Sequence, residues 1–263
     1  MKSNNTLQVL VSAMNANCQQ LVEKMNIKSD AIIINQCDKV GYQEQHLNEG
    51  TVRFFDMNER GVGLSRNNAL LRATGDIVLF SDEDITYDDD YVSKVLDAFE
   101  KHSDADMLLF NIRVCESRRT YYTTKETKIG WYNCGRYPTY SFAIRREKLH
   151  KSGVTYSLLF GGGAKYSAGE DSLFIKDLLR KKFKIIALPI EIGQEEERES
   201  TWFNGYTEKF FFDRGVLYHF LYGKLAKLFA YRFIMAKKSF MCKEIAPKKA
   251  LSLMMDGIKE AKN

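Results

Sequence analysis

Proline is scarce in this chain. There are three in 263 residues, with 17 glycines, and no proline- or serine-rich stretch marks a linker. No internal repeat is visible either, so the length fits one large α/β domain or a domain with an appendage. Cysteine is thin and unpatterned. The five thiols (Cys18, Cys37, Cys115, Cys134, Cys242) are odd in number and contain no CxxC pair. That argues against a disulfide frame or a zinc site and for reduced thiols in a cytosol. The formal net charge of +5 is too mild to imply nucleic acid. No uninterrupted apolar run is long enough to span a bilayer. The first six residues are polar and the run at 7–11 is too short for a signal-peptide core. A cytoplasmic protein is expected.

What is present is enough hydrophobic sequence, 44%, for a sizeable core. Its most informative stretch is Gly75-Asp76-Ile77-Val78-Leu79-Phe80-Ser81-Asp82-Glu83-Asp84. A short, continuous apolar run fits a strand buried on both faces. Three carboxylates follow it, at the strand end where open α/β sheets bind ligands. In an extended segment Asp82 and Asp84 point one way and Glu83 the other. Carboxylates that close repel unless a cation lies between them, and hard oxygen ligands suit Mg²⁺ or Mn²⁺. The plainer reading is an acidic loop leading into a helix near residues 90–100.

Other apolar runs read as strands at 7–11, 31–34, 52–55, 107–112, 139–146 and 183–188. Helices are expected at 18–25, 64–72 and 172–181. The order favours a parallel, Rossmann-like sheet with right-handed crossovers. Ser12, Asn15, Asn35, Gln36 and Asp38 then sit in strand-end loops beside the Asp82–Asp84 group. Gly61-x-Gly63 before a helix reads either as a phosphate loop or as a tight turn. Arg66 faces an anionic ligand or is a surface charge. Trp131, Tyr132, Tyr137 and Pro138 form an aromatic segment that stacks on sugar or simply packs.

A second glycine-rich stretch runs Gly161-Gly162-Gly163-Ala164-Lys165-Tyr166-Ser167-Ala168-Gly169-Glu170-Asp171. Asp171 either caps the following helix or is a general base at the mouth of a cleft. A helix N-terminus lowers a carboxylate pKa and weakens it as a base. Residues 194–199 read as an acidic loop. The end of the chain is basic and helix-compatible, with Lys224, Lys227, Arg232, Lys237, Lys238, Lys243, Lys248 and Lys249 among apolar residues. It suits a helix lying on an anionic membrane face, or one packed on its own domain with a solvated basic side.

The segment Asn58-Glu59-Arg60-Gly61-Val62-Gly63-Leu64-Ser65-Arg66-Asn67-Asn68-Ala69, the segment at 73–84 and Gly169-Glu170-Asp171 resemble the family 2 glycosyltransferases, inverting enzymes of the GT-A fold. The resemblance runs from residue 7 to about 215 and implies an α/β, GT-A-like, mixed or parallel sheet flanked by helices. It implies a transferase domain at 1–203, with a nucleotide-binding half to about 105 and an acceptor half beyond, and a helical extension at 204–263. It assigns nucleotide binding to Ser12, Ala13, Asn15, Gln36, Asp38, Arg66 and Asp82. Mn²⁺ or Mg²⁺ would sit on Asp84 with Asp82, and Asp171 would be the catalytic base. Glu170, Gly162, Gly163 and Trp202 would border the acceptor. The implied partners are a nucleotide-sugar donor, with UDP as the expected nucleotide, and a saccharide or lipid-linked saccharide acceptor. The implied setting is surface polysaccharide synthesis at the inner face of the membrane.

The sequence departs from the family at the end of the second strand, where Asn35-Gln36-Cys37-Asp38 stands in place of paired acids. The late histidine ligand is also lacking; after Asp171 only His219 occurs, and Gln194 or Glu195 is nearest in position. Three rival readings are a haloacid-dehalogenase-type phosphatase using Asp82 and Asp84, a nucleotidyltransferase, and a subunit that keeps the fold without catalysis. The phosphatase motif normally follows a first strand. The nucleotidyltransferase needs a basic glycine-rich loop that the N-terminus lacks. Intact acids argue against the third.

Overall fold

A computed structural model describes residues 5–115, 121–196 and 205–262. The apolar runs of the first half lie side by side as parallel strands β1 (Leu7–Met14), β2 (Asp30–Gln36), β4 (Gly50–Met57) and β5 (Ile77–Asp82). Alternate side chains of each strand go to opposite faces. Val9 and Val11 join one core cluster with Leu21 and Met25 of α1 (Cys18–Met25) and with Val95 and Phe99 of α3 (Tyr91–Lys101). Leu10, Ile32, Val78 and Phe80 join another, with Leu70 of α2 (Val62–Arg72) and Phe174 and Leu178 of α5 (Glu170–Arg180). Both faces are covered, so the runs read as continuous rather than alternating.

The sheet is mixed, not simply parallel. Its ten strands run in the order β3-β4-β2-β1-β5-β9-β7-β10-β6, with β8 also on β10. The added elements are β3 (Gly41–Leu47), β6 (Ile85–Tyr87), β7 (Met107–Arg113), β8 (Thr127–Lys128), β9 (Phe142–Arg145) and β10 (Ile185–Glu195). β9 runs antiparallel between β5 and β7, and β3 and β6 are antiparallel to their neighbours.

Three expectations change. The strand expected at 139–146 is shorter: a 3₁₀ turn at Thr139–Ser141 precedes β9, and Arg146 opens α4 (Arg146–Ser152). Gln194 and Glu195 belong to β10, not to a loop, because they pair with Thr86 and Ile85 of β6. The chain also does not stay extended through the acids. It turns at Glu83 and Asp84, so the alternating-sides picture does not apply.

The end of the chain forms α6 (Glu208–Tyr222), α7 (Ala226–Met241) and α8 (Pro247–Glu260). α6 and α8 approach closely through glycine. A Cβ on Gly257 would stand 2.1 Å from the Phe212 carbonyl oxygen, and one on Gly215 would stand 2.1 Å from that of Met254. α6 is also tied to the glycine-rich stretch. The Ser167 N–H donates to buried Asp213 (2.9 Å), and Phe160, Tyr166, Val216 and Leu217 share a small core. Among the described residues no helix is long and apolar enough to cross a membrane.

Candidate active site

A cavity of about 500 Å³ opens at the carboxyl ends of β1, β2 and β5. Ser12, Ala13, Asn15 and Gln36 line one side, and Arg66, Asp82, Glu83 and Asp84 stand beside them. Thr139, Tyr140, Gly162, Glu170 and Asp171 line the opposite side, with Glu195 also present. The structure therefore gathers most of the residues singled out from the sequence. It does not gather all. Asp38 is outside the cavity, 90% exposed, and paired with Arg60 at 2.5 Å. Gly163 does not line the cavity, and neither does His219. Trp202 lies outside the described residues.

The strand ends are pinned locally. Asn15 takes a left-handed backbone (φ 50), a conformation asparagine tolerates better than most residues. Glu83 accepts from the Met14 N–H at 2.8 Å, fastening the acidic turn to the end of β1. The Gly61 N–H donates to Gln36 Oε1 (2.7 Å) and the Val62 N–H to the Gly162 carbonyl (3.0 Å). Two N–H groups at the start of α2 are thus taken by protein, and Gly61 makes the turn with φ 125, a backbone that favours glycine. Gly63 serves close packing, since a Cβ there would meet the Ser157 carbonyl oxygen at 2.5 Å.

At the centre, buried Arg66 bridges the two sides. Its Nη2 donates to both oxygens of Asp82 (3.1 and 3.4 Å), and its Nη1 to Glu170 (2.9 Å) and Asp171 (3.2 Å). Burial works against the guanidinium charge, but Asp82, Asp171 and Glu170 outweigh it and raise the pKa. Arg66 is therefore neither a surface charge nor a loose arm toward a ligand.

Asp171 is not the cap of α5. The N-cap is Gly169, and no side chain caps the helix. The Asp171 carboxylate instead accepts from Thr139 Oγ1 at 2.6 Å and from Arg66, with 26% of its side chain still exposed to the cleft. Burial, then the adjacent Glu170 carboxylate, push its pKa well above the ordinary carboxylate range; Arg66 and Thr139 pull it down without cancelling the rise. The direction is opposite to the lowering expected from a helix N-terminus, because burial and the Glu170 charge act on the same carboxylate.

Three lining residues escape a motif reading. Thr139 orients Asp171 from the 3₁₀ turn. The Tyr140 phenol is pushed up by burial, then by Glu195, Asp82, Asp171 and Asp84, so it stays protonated among carboxylates. Glu195 reaches the cavity from the last residue of β10. Only Glu195 had a sequence signal, its position late in the chain.

The chain's relations agree with this arrangement. The family model Glycosyl transferase family 2 matches residues 7–164. No curated protein sequence matches the chain. Among solved structures, the crystal structure of S. aureus TarS 1–349 in complex with UDP-GlcNAc is similar. Its TM-score is 0.64 at 14% identity, over 97% of this chain and 81% of that one. The same protein in complex with UDP gives 0.60 at 16% identity, over 97% and 81%. At such identity the structural likeness establishes the fold alone, whereas the family match covers more than half of the sequence and leaves the phosphatase and nucleotidyltransferase readings without support. The chain belongs to glycosyl transferase family 2.

Proposed function

We propose that the chain transfers one sugar, with inversion, from a nucleoside diphosphate donor to a saccharide hydroxyl. The supporting observation is the placing of Asp171, a carboxylate with a raised pKa, across one cavity from Asp82 and Asp84. In this reading Ser12, Ala13, Asn15, Gln36 and Asp82 hold the nucleotide, with UDP the preferred nucleotide by analogy with the bound forms of TarS. Glu170 and Gly162 border the acceptor. Asp171 takes the proton from the acceptor hydroxyl as its oxygen bonds to the anomeric carbon. The bond from that carbon to the diphosphate oxygen breaks on the opposite face, and the nucleoside diphosphate leaves. Thr139 and Arg66 fix the Asp171 carboxylate toward the incoming hydroxyl.

The charge of the cavity bears on metal dependence. Six carboxylates line it (Asp82, Glu83, Asp84, Glu170, Asp171, Glu195), and among the described lining residues Arg66 is the only cation. That guanidinium is already shared among three of them. A diphosphate added to this site raises an already negative potential, so the donor set fits Mn²⁺ or Mg²⁺ held by one or two carboxylates and phosphate oxygens. Among the described residues no group of three or more His, Cys, Asp or Glu side chains is arranged to hold a metal by itself. That agrees with a cation shared with the substrate. Asp84 is the proposed protein ligand, with Asp82 at its side and Glu195 near. When bound, the cation offsets charge growing on the leaving diphosphate. We further propose that the saccharide acceptor is lipid-linked, in capsule or exopolysaccharide synthesis at the inner face of the membrane.

Thermal shift with a panel of nucleotides and nucleotide sugars, in Mn²⁺, Mg²⁺ or chelator, tests the reading. A uridine nucleotide is expected to raise Tm only with divalent cation present. Equal stabilisation in chelator removes the metal from the site, and no stabilisation by any nucleotide removes the donor.

A further inference from the structure

Helix α7 has two faces of opposite character. Ala226, Ala230 and Ile234 recur every fourth residue and are buried against the α6–α8 pair. Phe229 and Phe233 widen that contact, their rings packing on Tyr222 and Tyr218 of α6. The outward side carries Leu228 (62% exposed), Tyr231 and Met235, continuous with Leu225 on the preceding turn. Positions 228, 231 and 235 fall on one line of a helix. Phe240 is exposed farther along. Lys224, Lys227, Arg232 and Lys238 lie on or beside this line, with Lys237 and Lys243 near the end of the helix; all six are exposed, and no Asp or Glu occurs between residues 223 and 243. Among the described residues none of the six is paired with a carboxylate, although the chain pairs many of its other lysines. An aromatic pair extends the surface. Trp131 and Tyr132 are both 60% exposed, and the Trp131 ring packs edge-on against Phe229 of α7, with centroids 6.2 Å apart.

We propose that this face of α7, with Trp131 and Tyr132 at its edge, is a docking surface for an anionic lipid bilayer. Three features favour that occupant. Apolar side chains ringed by long basic ones let the helix lie in the interfacial plane, the apolar line reaching the acyl boundary and the ammonium groups reaching lipid phosphates. Trp and Tyr at the margin prefer the headgroup level. A second copy of this chain is a poor occupant, because a two-fold contact through the same face sets its cations against one another with no carboxylate between them. Lipid docking here uses no residue of the catalytic cavity, so it is tested without donor or acceptor.

The full chain is sedimented with vesicles of phosphatidylcholine alone, and with vesicles of equal parts phosphatidylglycerol and phosphatidylcholine. Point variants are preferable to truncation, because α8 packs on α6 and its loss exposes core. The wild type should bind the phosphatidylglycerol vesicles and be released by salt. Lys227→Glu/Lys238→Glu and Leu228→Glu/Met235→Glu should each weaken binding by about tenfold or more. Both variants alter exposed positions, so an unchanged melting curve and an unchanged nucleotide-induced shift will show that fold and donor site are intact. Binding that is absent, equal on both vesicle types, or unaffected by either double variant overturns the proposal. So does a wild-type dimer that Leu228→Glu/Met235→Glu converts to monomer, which would make the face a contact between copies.

Discussion

Arg66 joins the two sides of the cavity through one buried guanidinium. It neutralises Asp82 from β5 and Glu170 and Asp171 from α5, and it is itself 4% exposed. Removing a partner from a buried ionic group is costly because charge is left uncompensated, so Arg66→Ala should cost about 3–5 kcal/mol in chemical denaturation. Asp171→Asn should behave in the opposite sense. The folded state holds the Asp171 proton more tightly than the unfolded chain does, since its pKa is raised. This group therefore weakens the fold as pH climbs above the ordinary carboxylate range. An amide is neutral throughout, so at neutral pH the variant should melt above the wild type while losing transfer and keeping donor affinity. A parallel loss of nucleotide binding would contradict the base assignment. The wild-type rate should fall on acidification with a midpoint above the ordinary carboxylate range, read from a pH profile of kcat/KM. The carboxylates of this centre were legible in the sequence as residue types. Their coupling was not, because the contact between residues 66 and 171 is made by the fold and no local spacing announces it.

At the scale of elements, legibility followed burial. The runs at 31–34 and 77–80 announced β2 and β5 because both faces of those strands are covered, leaving no polar position to break the signal. β3 gave none. Its sequence, Gly-Tyr-Gln-Glu-Gln-His-Leu, lies on the sheet edge with most side chains exposed, so neither an apolar run nor a core-facing alternation appears. The end of β10 was disguised in the same way by Gln194 and Glu195, and the 3₁₀ turn that delivers Thr139 looked like the start of β9. The glycines of the α6–α8 contact permit a test at this scale. Gly257→Ala places a methyl against the Phe212 carbonyl, and the helices must separate to admit it. The expected cost is about 1–3 kcal/mol or more. Limited proteolysis should then cut within residues 223–262 faster than in the wild type. Unchanged cleavage would show that the contact is slacker than its geometry.

Across the whole molecule, the two halves of the sheet meet at one acidic cavity, and α6 backs the glycine-rich stretch that lines part of it. Charge at this scale bears on the proposed chemistry: a site this negative would repel a bare diphosphate and favour one that arrives with a cation. Equilibrium dialysis with labelled UDP should accordingly show at least about a hundredfold weaker binding after chelation, restored by Mn²⁺ or Mg²⁺. If chelation leaves the affinity unchanged, the cavity holds the nucleotide by hydrogen bonds alone. Leu217 of α6 sits against Gly169, where a Cβ would come within 2.5 Å of it, and Gly169 is followed directly by Glu170 and Asp171. Recombining this chain with a relative to exchange acceptor preference therefore has a forbidden zone. A crossover between residues 166 and 217 would pair one parent's glycine-rich loop with the other's buttress, so the helices and the loop must be inherited together.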